Sequence, residues 1–115
     1  MRQILIRILI CGFFLQLAPL VSAKPPTDIK LEYNKTSQML HIEMRHVTSN
    51  NRDHYIRRVI ITKNSEKPIV LWEVSQPSPS QFIKDVPMVA KVGDSIRVEA
   101  ICSNVGRGQA TLKIK

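Results

Sequence analysis

The strictest pattern in the chain has a period of two. Ile96, Val98, Ala100 and Cys102 alternate with Arg97, Glu99, Ile101 and Ser103. Successive side chains of a strand point to opposite faces, so this spacing specifies a half-buried β-strand. The same period places Leu40, Ile42 and Met44 opposite His41, Glu43 and Arg45 within 38–45. Further strands are expected over 28–33, 55–63 and 69–74, around Phe82, Ile83 and Val86, and through Ala110, Leu112 and Ile114. Turn residues separate them: Asn34-Lys35-Thr36-Ser37, Asn64 to Pro68, the Gln76-Pro77-Ser78-Pro79-Ser80 break, Lys91-Val92-Gly93-Asp94, and a hairpin loop from Asn104 to Gly108. Apolar residues rarely fall at three-and-four spacing, which disfavours helix. Seven short strands at regular spacing predict an all-β, immunoglobulin-like β-sandwich.

Residues 1–23 read as an export signal. Arg2 and Arg7 give a positive start, Ile8 to Leu20 is mostly apolar, and Val21-Ser22-Ala23 supplies small residues for cleavage. The apolar run is short for a membrane span. Cys11 lies inside it and follows Ile10, where a lipid-attachment signal would want a small residue, so it is expected to be discarded. The expectation is an exported protein, periplasmic or secreted, with one domain over 24–115 and no membrane contact after cleavage. Of 17 Lys and Arg, Arg2 and Arg7 leave with the signal, so 15 face 9 acidic residues. The basic residues are dispersed and not interleaved with aromatics, which together with export argues against nucleic acid as a partner. Asn34-Lys35-Thr36 is a glycosylation sequon where the host modifies exported proteins, and otherwise a turn.

With Cys11 gone, Cys102 has no partner for an internal disulfide. It is buried and inert, paired with another chain, or bound to a metal. His46 follows Met44 in phase and points inward at its strand's end. His54 opens the next strand, after the polar loop 47–53. In an immunoglobulin-like sandwich the loop between the second and third strands and that between the sixth and seventh lie at the same end. His46, His54 and Cys102 are therefore expected to converge. Two imidazoles and a thiolate suit iron, copper or zinc. The plainer alternative is two strand-end histidines and one packing cysteine. His41 is on the outward phase and stands outside the group. There is no Gly-x-Ser-x-Gly motif and no Gly-rich phosphate loop, and the carboxylates show no pairing by spacing. A Cys102–His54 nucleophile pair is the one other catalytic arrangement the residues leave open.

The segment His54-Tyr55-Ile56 after a histidine-led loop resembles the His-Tyr-Ile segment of desulfoferrodoxin and superoxide reductase domains. Lys91-Val92-Gly93-Asp94 before an alternating strand, then Cys102 and Gly106, resembles that family's last strands and its Cys-Asn-x-His-Gly ligand loop. The opening, Lys24 to Leu31, resembles its small exported members. The resemblance implies an immunoglobulin-like sandwich with a mononuclear iron held by His46, His54 and Cys102, and superoxide as the small oxidant reduced. Val105 and Lys24 stand where the family has two further histidine ligands, so three of five remain. The run from His54 to Ile114 is also similar to the carrier-complex subunit Z of bacterial sulfur oxidation. That similarity implies a non-enzymatic subunit with a protein partner.

Overall fold

The computed structural model describes residues 25–50, 52–104 and 106–115. The expected leader over 1–23, Lys24 and Val105 lie outside them. Seven strands form in order: β1 (Thr27–Asn34), β2 (Met39–Arg45), β3 (Ile56–Lys63), β4 (Ile69–Trp72), β5 (Gln81–Pro87), β6 (Ser95–Cys102) and β7 (Arg107–Lys113). There is no helix among the described residues. One sheet has the order β1-β2-β5 and the other β4-β3-β6-β7, and every pairing is antiparallel. In immunoglobulin lettering these are A-B-E and C′-C-F-G, the expected sandwich.

The alternating residues make the core. Leu40, Ile42 and Met44 of β2 meet Val59 and Ile61 of β3 and Ile96, Val98 and Ala100 of β6, all essentially without solvent contact. Burying each large aliphatic side chain contributes about 1.5–3 kcal/mol. The edge strand β1 keeps the alternation but buries its inward face only partly, and β4 does not alternate. In β1 Ile29, Leu31 and Tyr33 are half-buried, and in β4 only Leu71 packs against the core.

Two details differ from the pattern in the sequence. The β6–β7 hairpin is tighter than a loop through Gly108, because Gly108 already pairs with Ala100 and Arg107 with Ile101. Gly106, at φ +127°, makes the turn, a conformation that costs other residues strain. A Cβ there would also come 3.0 Å from Pro25. The second difference is an irregularity in β3. The strand advances from Ile56 to Arg58 while its partner moves only from Cys102 to Ile101, which is a β-bulge.

Candidate metal centre

β2 carries His46 to the end of the sandwich. It follows Met44 on the inward phase and is 1% exposed. The segment after β4 continues the sheet beside it: the His46 N–H donates to the Ser80 carbonyl (3.0 Å) and the Thr48 N–H to the Pro79 carbonyl (2.8 Å). Asn50 then folds the loop back. Its side-chain oxygen accepts from the N–H groups of Arg52 and Asp53, and its carbonyl accepts from the N–H of His54 at 2.8 Å. This turn returns His54 toward His46. The two imidazole rings meet edge to face, with centroids 4.7 Å apart and planes at 85°.

Cys102 ends β6 directly opposite Ile56, two residues after His54. Ser103 ties the two ligand segments together. Its hydroxyl accepts from the Tyr55 N–H (3.1 Å) and donates to the Asp53 carbonyl (2.8 Å), while its own N–H donates to the Tyr55 carbonyl. The Cys102 N–H closes the hairpin on the Gly106 carbonyl. Cys102 is buried and in no disulfide. One donor atom from each of His46, His54 and Cys102 lies within 4.8 Å of the other two.

Gln76 fixes the chemistry of the first histidine. It is fully buried, and its amide nitrogen donates to the carbonyls of His46 and Ser78, both at 2.7 Å. Carbonyl oxygens only accept, so the NH₂ end must face them. The amide oxygen therefore faces His46 Nδ1 at 2.7 Å, and Nδ1 must carry the proton. The lone pair is then on Nε2, the arrangement that outer hydrogen bonds impose on metal-binding histidines.

His54 gives an independent indication. Its Nε2 is buried and makes no hydrogen bond within the described structure. An unsatisfied buried polar atom costs about 1–3 kcal/mol, and a coordinated ion would remove that cost. Two imidazoles and a cysteine sulfur are nitrogen and sulfur donors suited to a d-block ion. Bonds of about 2.0 Å to nitrogen and 2.3 Å to sulfur would set tetrahedral donors about 3.3–3.6 Å apart. Side-chain movements under about 1 Å would close the group to that spacing. The cluster can hold a metal.

The group within the described residues contains no carboxylate. His41 is on the outward face, as its phase predicts, and its Nδ1 lies 2.6 Å from Asp85 Oδ1. That hydrogen bond raises its pKa above 6.5; burial opposes the rise and Glu43 adds to it. Gln76, Asn50 and Ser103 had no signal in the sequence. Gln76 is one polar residue in a Pro- and Ser-rich break, and only the docking of that break against β2 gives it a role. Compared with known proteins, the chain matches no family model, no curated protein and no solved structure.

Proposed function

We propose that this is an exported, desulfoferrodoxin-like domain that binds one iron ion through His46 Nε2, His54 Nε2 and Cys102 Sγ. The observation that carries the metal site is the Gln76–His46 hydrogen bond, which commits Nδ1 as a hydrogen-bond donor and leaves the lone pair on Nε2, in a residue clustered with His54 and Cys102. The choice of iron rests on the resemblance of the His54 and Cys102 segments to that family. An iron(II) ion there would supply one electron, and superoxide with that electron and two protons gives hydrogen peroxide. The chain's own part is to hold Nε2 of His46 in the donor tautomer, to keep the His54 and Cys102 segments together through Ser103, and to leave further coordination positions to small molecules.

Metal analysis of protein purified from its native compartment tests this. One iron per chain is expected, with a visible thiolate-to-iron absorption that disappears in Cys102→Ser. Stoichiometric copper or zinc would keep the centre and overturn iron. Absence of any stoichiometric metal, with unchanged stability in His54→Ala and Cys102→Ala, would overturn both.

A second reading is a non-enzymatic subunit resembling the sulfur-oxidation carrier subunit Z. The observation in its favour is the edge strand β4, where Ile69, Val70, Trp72 and the following Val74 are exposed. It predicts a stable complex with an exported partner and no metal.

A further inference from the structure

We propose that the cavity on the solvent side of the four-stranded sheet, beside Cys102, is a binding subsite for a small oxoanion held by Arg57 and Arg58 against Trp72. The cavity has a volume of about 300 Å³, and Arg57, Arg58, Trp72, Cys102, Ser103 and Asn104 contribute to its wall. This goes beyond the metal reading and stands whether or not an ion occupies the donors on the inner side.

The bulge in β3 creates the site. Consecutive residues of a regular strand face opposite ways, so Arg57 and Arg58 should diverge. A bulge re-aims a side chain, and here both guanidiniums lie over one indole, 5.9 and 5.4 Å from the Trp72 ring centroid. Within the described structure neither arginine is in an ion pair or a side-chain hydrogen bond. The nearby carboxylates are committed elsewhere: Glu73 to Lys84 at 2.9 Å and Glu99 to Arg107 at 3.2 Å. Both arginines line one cavity with no ion-pair partner among the described residues, so an anion entering it would meet two cations. Guanidinium forks match the paired oxygens of a sulfate, phosphate or carboxylate, and the ring beneath restricts their motion. The same charge would lie next to the strand end that carries Cys102.

Trp72 is the only tryptophan in the chain, so its emission reports on this cavity alone. Sodium sulfate is titrated into the full mature protein against sodium chloride at matched ionic strength. A saturable change with half-saturation at about 1–10 mM is expected for sulfate only. Arg57→Gln/Arg58→Gln should weaken it at least tenfold while metal content stays unchanged. His54→Ala, which lies outside the cavity wall, should lose metal and still bind sulfate, so the subsite and the metal centre fail separately. If the double Gln variant does not fold, Arg57→Lys/Arg58→Lys keeps the charge without the fork and should bind several-fold more weakly. A linear response equal to that of chloride, or unchanged affinity in the variant that folds, overturns the proposal. Acetate and a glutamate-rich peptide distinguish the sources: binding of sulfate or acetate supports the subsite, and a response to the peptide alone overturns it in favour of protein docking.

Discussion

Replacing Gln76 by leucine removes three hydrogen bonds at once, two of them buried and one partly buried: one to His46 Nδ1 and two to backbone carbonyls, each 2.7 Å long. At about 1 kcal/mol each, the loss is about 3 kcal/mol. For a domain of this size that lowers the melting temperature by about 12–24 °C. The variant also loses the acceptor that keeps the proton on Nδ1, and outer-shell losses of this kind typically weaken metal affinity about 10–100-fold. Gln76→Glu separates the two effects. A carboxylate still accepts from Nδ1–H but cannot donate to the His46 and Ser78 carbonyls. It should therefore lose stability while keeping metal affinity within a few-fold of the original. Urea unfolding of the metal-free proteins and competition titration with a metal chelator measure the two quantities. If Gln76→Leu bound metal as tightly as the original protein, the tautomer argument would be refuted.

Two predictions concern pH. His41 has its pKa raised, first by its hydrogen bond to Asp85, so the stability this pairing contributes is complete below 6.5 and is lost as pH rises through the folded-state value. An NMR titration should show the His41 midpoint falling in Asp85→Asn, and an unmoved midpoint would remove Asp85 as the cause. Asp94 is held below the ordinary carboxyl value of 3.8, first by the Lys91 N–H and then by the Asn64 side chain. Its contribution is present above 3.8 and is lost as pH falls through the lowered folded-state value. Asp94→Asn should flatten the acid limb of the urea midpoint measured from about pH 5 to 2, and an identical limb would show that other groups set it.

The alternation in β2 and β6 was legible because a period of two has one structural meaning when one face is buried. It placed Leu40 to Met44 and Ile96 to Ala100 in the core, and it put His46 and Cys102 on the inward phase while excluding His41. It was less informative at the edges. In β4 a run of apolar residues is mostly exposed, since an edge strand has a neighbour on one side only.

The sequence by itself determined which residues could be ligands and that a two-sheet sandwich would bring their loops to one end. Tertiary structure alone decided that their donor atoms lie within 4.8 Å of one another and which tautomer His46 adopts. His46 and Cys102 are brought together across the sandwich, Ser103 joins segments fifty residues apart, and the tautomer of His46 depends on a glutamine thirty positions away. The bulge that gathers Arg57 and Arg58 over Trp72 likewise depends on the register of β3 against β6. Hydrogen-bond direction and strand register are properties of paired segments, and no single segment carries them.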